Sequence, residues 1–406
     1  MPGKLGAMTL RLITAGESHG PGLTCILEGM PAGLRLERAA IDSDLARRQL
    51  GHGRGGRMKI ERDRVEVSGG LRHGLTLGSP IALHVNNRDF ENWQVRMNPW
   101  ELADVQGAST AQERVEEVHL PRPGHADLVG VQKHGLRDVR NVLERASARE
   151  TAARVAGGAV CKCFLRALGV EIRSHVIQIA SVRVPERARP PALADFEHVD
   201  ESPVRCLDRA SEAAMVAEID ALRKANESLG GIFEVRAFGL TPGLGSYVSW
   251  EARLDGQLAM ALCSIQAVKG VAIGDAFTVA SLPGSQAHDE IFYDRRRGYH
   301  RTTNRAGGLE GGMSNGEDLV VQGAMKPLPT LTQPLRSVDI ETHEPAQALR
   351  ERTDSCTVPA AAVVAEAMVA FVLARAYREK FGGDHIDDVR GALGAYEERI
   401  DWRRPR

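Results

Sequence analysis

Two histidines stand in short polar loops bounded by glycine, His19 in GESHG and His125 in RPGHAD. Histidine changes charge near neutral pH, so either ring could act as an acid or a base, and Arg122 sits close enough in sequence to His125 to hold an anion beside it. Arg47, Arg48, Arg54 and Arg57 fall within 11 positions, the last two in the glycine loop GHGRGGR. Guanidinium groups grouped in this way suit bidentate binding of a phosphorylated small molecule, although a solvated basic loop has the same composition. Asp354 in RTDSC adds a carboxylate near an arginine.

The same residues could be read in other ways. GESHG fits G-x-S-x-G, the elbow that presents a nucleophilic serine, but an elbow needs a helix directly after the serine. Here Pro21 and Gly22 lead into the strand-like run LTCILEG, so Ser18 is not expected to be a nucleophile. Gly51, Gly53 and Gly56 satisfy G-x-G-x-x-G, which binds dinucleotides when a strand precedes it and a helix follows. The order here is reversed, with a helix expected through ERAAIDSDLARRQL and an alternating strand over Met58, Ile60, Val65 and Val67.

The elements that must position these loops are legible in outline. MTLRLITA and LTCILEG read as strands around the GESHG loop. Ser147 and Glu150 form an S-x-x-E capping box ahead of apolar positions at helical spacing, Ala152, Val155, Val160, Phe164 and Leu168. Flanked by Arg145 and Arg149, that helix start is a structural cap and equally a candidate anion site. Residues 180–205 read as a surface excursion, and 282–303 as a mobile stretch between glycine loops. A long helix begins with Pro359 in its first turn and stops near Gly382, apolar nearly all round and therefore buried between layers.

Composition excludes several function classes. With 52 Lys plus Arg against 53 Asp plus Glu, the net charge of −1 gives no general attraction to nucleic acid or an anionic membrane. GRGGR lacks the interleaved aromatics of an RNA-binding segment. The 6 cysteines show no C-x-x-C spacing, so free thiols in a reducing cytoplasm are expected, with no metal site and no disulfide framework. No secretory leader is read in the first 20 residues, and the apolar run from Pro359 is interrupted by Glu366, which favours a core helix over a membrane span.

Seven segments, GESHGPGLTCILEGMPAG, RRQLGHGRGGRMKIERD, RPGHAD, SARETAARVA, TNRAGGLEGGMSNG, KPLPT and RTDSCTVPA, occur in the order and approximate spacing of chorismate synthases. On these motifs the chain resembles that family from about Leu10 to Gly383. The resemblance implies an α+β fold, a single-domain β-α-β sandwich with a helical layer between antiparallel sheets, over residues 8–395. Residues 1–7 and 396–406 are then expected to be flexible tails. It also implies a homotetramer and the trans elimination of phosphate and a ring proton from 5-enolpyruvylshikimate 3-phosphate. Reduced FMN is required without net redox change, at the last step of the shikimate pathway.

Carried over motif by motif, His19 resembles the acid that protonates the leaving phosphate, with Ser18 as a polar relay. His125 resembles the histidine that protonates reduced flavin, and Asp354 the aspartate that works with flavin N5 to take the ring proton. Arg48 and Arg54 match arginines of the phosphorylated-substrate site, often described as NADP contacts. Flavin contacts fall on Arg145, Ala146, Ser147, Gln266, Ala267, Gly311, Lys326, Pro327, Leu328, Pro329, Thr330 and Arg352. Glu144 and Ala146 replace the glycine and serine of GRSSARET in many relatives, so a contact at 146 is expected through the backbone. With no additional domain evident, the enzyme is expected to be monofunctional and supplied by a separate flavin reductase. A serine hydrolase and a non-enzymatic flavin- or phosphate-binding protein are the competing readings. The second would be marked by loss of His19, His125 or Asp354, and all three are present.

Overall fold

Alternating apolar residues in the first 90 positions make a four-stranded antiparallel sheet from β1 (Arg11–Ala15), β2 (Gly22–Glu28), β3 (Val65–Gly69) and β4 (Ile81–Asn86), in the order β1-β2-β4-β3. In register, Arg11 faces Glu28, Gly22 faces Asn86 and Val65 faces Val85. A second antiparallel sheet has the order β8-β9-β7-β5-β6, built from β5 (Glu171–Ile179), β6 (Val182–Arg183), β7 (Gly231–Phe238), β8 (Val268–Ile273) and β9 (Leu319–Met325). The computed structural model describes residues 10–55, 62–100, 117–186, 189–351 and 354–402.

The principal helices are α1 (Arg38–Gln49), α2 (Asp127–His134), α3 (Arg140–Ala146), α4 (Thr151–Ala167), α5 (Arg209–Lys224), α6 (Leu254–Cys263), α7 (Val358–Phe381) and α8 (Ile386–Arg399), and α4 and α7 fill the space between the sheets. α4 packs on β2 and β4 of the first sheet, α7 on β5 and β7 of the second, and the two helices pack on each other. Consecutive glycines allow this. A Cβ on Gly157 would lie 2.7 Å from Leu12 Cδ1 on the first sheet, and one on Gly158 would lie 2.3 Å from Ala367 Cβ on α7. The expected sandwich of helices between antiparallel sheets is therefore the observed fold.

α7 matches its sequence reading, with Pro359 in the first turn and Gly382 at φ 59° behind its last residue. It is the helix long and apolar enough to cross a membrane among the described residues, yet 89% of its apolar window is buried inside the protein. None of the six cysteines is in a disulfide.

Four expectations change. The capping box does not close: Ser147 Oγ accepts from Arg149 N and caps a short 3-10 turn, Ala148–Glu150, ahead of α4. Glu150 turns instead to Thr14, Arg154 and Gln266, because those partners reach its buried carboxylate from other elements. The excursion over 180–205 ends inside the core, where Arg205 Nη2 donates to Ser174 O. Residues 282–303 carry an antiparallel hairpin, Ile291–Asp294 with Gly298–Arg301. The segment expected as a C-terminal tail begins within α8, where Tyr396 donates to Pro242 O and its ring packs edge-on against Phe381. Met58, Ile60, Arg57, Arg352 and Thr353 lie outside the described residues.

Candidate active site

The GESHG loop links β1 to β2, and a strand, not a helix, follows Ser18, so the elbow is absent as expected. Asn87, just past the end of β4, pins this loop by donating to Glu17 O, Ser18 O and Gly20 O. Ser18 is buried and lies within hydrogen-bond reach of Ser147 Oγ, at 3.2 Å. His19 is fixed from the other side by α3. Its backbone N–H donates to Glu144 Oε2, and its Nδ1 stands 2.9 Å from the same oxygen. An ionised carboxylate only accepts, so Nδ1 carries the proton and Nε2 is the nitrogen through which His19 exchanges one.

Glu144 is buried beneath this pair, and Arg140 Nη1 holds its other oxygen at 2.8 Å. Burial alone would raise the carboxyl, but the hydrogen bond and charge of His19, with the charge of Arg140, hold it below the usual carboxylate range. Trp93 stacks on the His19 ring with centroids 3.9 Å apart, and the Arg140 guanidinium lies 5.1 Å from the Trp93 centroid.

His125 is built the same way from different elements. Its Nδ1 lies 2.5 Å from Oδ1 of the fully buried Asp127 at the start of α2, and Arg122 Nε donates to Oδ2 at 2.8 Å. Burial opposes the charge of Asp127, yet the hydrogen bonds from His125 and Arg122 hold it well below the ordinary carboxylate range. Each expected catalytic histidine thus has a buried carboxylate at Nδ1 and an arginine behind that carboxylate.

Next to the His19 loop lies a group of guanidiniums. Arg48, at the buried end of α1, donates to Thr151 Oγ1 and Ala148 O and stands 3.4 Å from Asp63. Arg149 reaches Asp63 at 2.6 Å and Asn87 Oδ1 at 2.9 Å, so Asn87 joins the histidine loop to the arginines. Arg54 pairs with Asp354 at 3.1 Å, and Gly55 N donates to the same carboxylate. Burial, against the pull of Asp63 and with Arg149 and Arg54 adding to it, pushes the Arg48 guanidinium down to about 9. It remains protonated at neutral pH. Three guanidiniums against Asp63 and Asp354 leave an excess of positive charge suited to a multiply charged anion.

The residues assigned to flavin converge in part. Arg145 donates to Gly16 O and Thr14 O, Thr14 donates to Glu150, and Gln266 Nε2 donates to Glu150 at 3.2 Å. Ala267 adopts φ 68° and its carbonyl accepts from Lys326 N, which leads into residues 326–330. Lys326 Nζ donates to Gly124 O, and Arg122 Nη1 donates to Thr330 Oγ1 at 3.0 Å, so that segment meets the His125 loop. Gly311 stands apart, in the turn between Leu309–Glu310 and Met313–Ser314. Gly312 O accepts from Leu254 N at the start of α6. Gln266 lies beyond the other end of that helix, about 15 Å away along ten residues.

Asp63, Asn87, Trp93, Asp127, Arg140 and Glu144 were not among the candidate site residues read from the sequence, whereas Arg149 was, at the candidate anion site of the capped helix start. Asp127 alone had a signal, two positions after a candidate histidine. An α+β sandwich with one histidine–carboxylate pair beside clustered arginines and a second at the start of α2 is a frame in which an enzyme can move protons next to a bound anion.

The comparisons give that enzyme class its family. The chorismate synthase family model matches residues 10–377. A chorismate synthase from Symbiobacterium thermophilum is 55% identical over 401 residues, covering 97% of this chain and 100% of its own length. One from Paenarthrobacter aurescens is 54% identical over 396 residues, covering 96% and 98%. A crystal structure of chorismate synthase superposes with a TM-score of 0.77 at 40% identity, over 97% of this chain and 99% of that one. The chain belongs to the chorismate synthase family, and it is a carbon–oxygen lyase of the shikimate pathway.

Proposed function

We propose that the chain converts 5-enolpyruvylshikimate 3-phosphate to chorismate by trans elimination of phosphate and a ring proton. The observation that carries this reading is the junction at Asn87, where the loop of a carboxylate-held histidine meets buried Arg149 beside Arg48. Arg48, Arg54 and Arg149 bind the substrate phosphate, which makes an NADP role for Arg48 and Arg54 unnecessary. His19 delivers a proton from Nε2 to the departing phosphate while Glu144 stabilises the ring in its charged form. Asp354, oriented by Arg54 and Gly55 N, accepts the proton that leaves the ring. The C–O bond and the C–H bond both break, a C=C bond forms, and no electrons are gained or lost overall.

Reduced FMN, when bound, supplies a transient source of electrons for the elimination. Local features fit such a group: Gln266 Oε1 is buried without a hydrogen-bond partner and can accept from a ring N–H, and Ala267 holds a left-handed backbone beside it. Arg145, Ala146, Ser147, Gln266, Ala267, Lys326, Pro327, Leu328, Pro329 and Thr330 would hold the flavin, Ala146 through its backbone. Arg352 keeps its assignment to the same group from the family motif. His125, its Nδ1 held by Asp127, keeps a proton available at Nε2 for reduced flavin. Gly311 would reach the same ligand only from a neighbouring subunit. Exposed Tyr247, Val248, Trp250 and Phe277 support assembly of copies, which we take to be a homotetramer. A cytoplasmic, monofunctional enzyme supplied by a separate flavin reductase completes the reading.

The test is anaerobic turnover of 5-enolpyruvylshikimate 3-phosphate, following chorismate absorbance and released phosphate. Product with prereduced FMN alone supports the whole reading. Product from oxidised FMN plus NADPH would replace the monofunctional assignment with a bifunctional one, and no product under either condition would sink the proposal.

A further inference from the structure

The two histidine pairs are joined through one side chain that the elimination does not require directly. Glu351 Oε2 lies 3.4 Å from Arg122 Nη1, and Glu351 Oε1 lies 3.6 Å from Arg140 Nη2. Arg122 is the arginine that holds Asp127 against His125, and Arg140 is the arginine that holds Glu144 against His19. The groups therefore form one string of alternating charge: His19, Glu144, Arg140, Glu351, Arg122, Asp127, His125.

Packing supports the same joint. Leu349 N donates to Leu120 O, and Leu349 packs on a small apolar cluster of Val131, Val139 and Leu143, contributed by α2, α3 and the turn between them. The segment bearing Glu351 is thus seated on the two helices whose carboxylates orient the histidines. The three ionic side chains are 6%, 11% and 23% exposed for Arg122, Arg140 and Glu351, so water screens this bridge far less than a surface pair. Removing its carboxylate would take the shared anion from between two guanidiniums, leaving Arg122 on Asp127 and Thr330 and Arg140 on Glu144 and Trp93 with nothing to couple them.

We propose that Glu351 is a positioning residue that locks both histidine–carboxylate pairs into one arrangement. This rests on the catalytic reading of His19 and His125 given above. Glu351 touches no reacting atom. It acts through Arg122 and Arg140, and a displacement of about 1 Å at either histidine is enough to cost up to about 100-fold in rate.

The test uses the full chain with prereduced FMN under anaerobic conditions, and in parallel the low-field Nδ1–H proton resonances of the flavin-free protein, assigned with His19→Ala and His125→Ala. Glu351→Ala is expected to lower kcat about tenfold or more, with KM for 5-enolpyruvylshikimate 3-phosphate and the Kd for FMN within about twofold. The His19 and His125 resonances should both weaken through faster exchange with water. Glu351→Asp keeps the charge but falls short of both arginines, so it should resemble Glu351→Ala. Glu351→Gln preserves the volume, should release one arginine, and carries the test if the alanine variant does not fold.

In Arg140→Ala, the further effect of Glu351→Ala on kcat should shrink to about twofold or less, because the bridge is already broken. Unchanged kcat and resonances in Glu351→Ala, or a parallel fall of kcat, flavin binding and melting temperature, would overturn the proposal. A wild-type protein that shows both resonances but no turnover would overturn the functional reading, and the response of the resonances to Glu351→Ala would still decide this one.

Discussion

Replacing Glu366 tests whether the middle of α7 is held by charge as well as by apolar packing. Its Oε1 accepts from Arg47 Nη2 at 2.8 Å, Ser174 Oγ at 2.7 Å and Arg205 Nη2 at 3.2 Å. Its Oε2 accepts from Arg47 Nη1 at 2.9 Å and Lys162 Nζ at 2.8 Å. Three cations thus meet Glu366, Asp44 and Asp200, and removal of Glu366 leaves the same cations with two carboxylates. Breaking a buried pair costs about 3–5 kcal/mol. Because Asp44 and Asp200 still serve all three cations, Glu366→Ala is expected near the lower end, about 3 kcal/mol. Glu366→Gln, which preserves shape, should lose less.

The assay is urea unfolding followed by circular dichroism at neutral pH. Burial opposes ionisation of Glu366, but Arg47, Lys162 and Arg205 together hold its carboxyl well below the usual carboxylate range. A folded-state value below the unfolded one means the stabilisation is whole above the ordinary glutamate value of about 4.3 and is lost as pH falls through the folded value. The stability gap between wild type and Glu366→Gln should therefore narrow on acidification below that point. A loss under about 1 kcal/mol at neutral pH, the worth of an exposed pair, would refute the reasoning.

Two further substitutions test the site and the helical layer. Glu144→Gln should lower kcat at least about tenfold while leaving FMN binding intact, since it removes the charge that stabilises protonated His19; steady-state kinetics with a fluorescence titration of FMN checks it, and unchanged kcat would exclude the pair from catalysis. Gly158→Ala drives a methyl into Ala367 of α7 and should destabilise by about 1–3 kcal/mol. In the same unfolding assay Gly391→Ala, with no atom within 4 Å of the added carbon in α8, should instead stabilise by up to about 1 kcal/mol.

The sequence by itself determined the features that are written within a few residues. Apolar periodicity marked α4 and end signals marked α7, and Pro21–Gly22 followed by a strand excluded an elbow at Ser18. The ordered motifs also singled out His19, His125, Arg54 and Asp354, which lie in short loops of distinctive composition, and Arg48 in the last turn of α1.

Only the tertiary structure decided what those residues touch. His19 and Glu144 are 125 positions apart, and Arg54 and Asp354 meet across 300, separations at which no local pattern can specify a partner. Local signals were also overruled where a distant contact was stronger. Glu150 left its capping box for Thr14 and Gln266, with Arg154 one turn away, and Glu366 looked like a flaw in an apolar run until Arg47, Lys162 and Arg205 arrived from three other segments. A buried charge is tolerated only where opposite charge and donors are brought to it. Helix starts and turns depend on adjacent residues and can be read from the chain, whereas the partners of buried charges depend on how the sheets and helices pack, so they exist only in the fold.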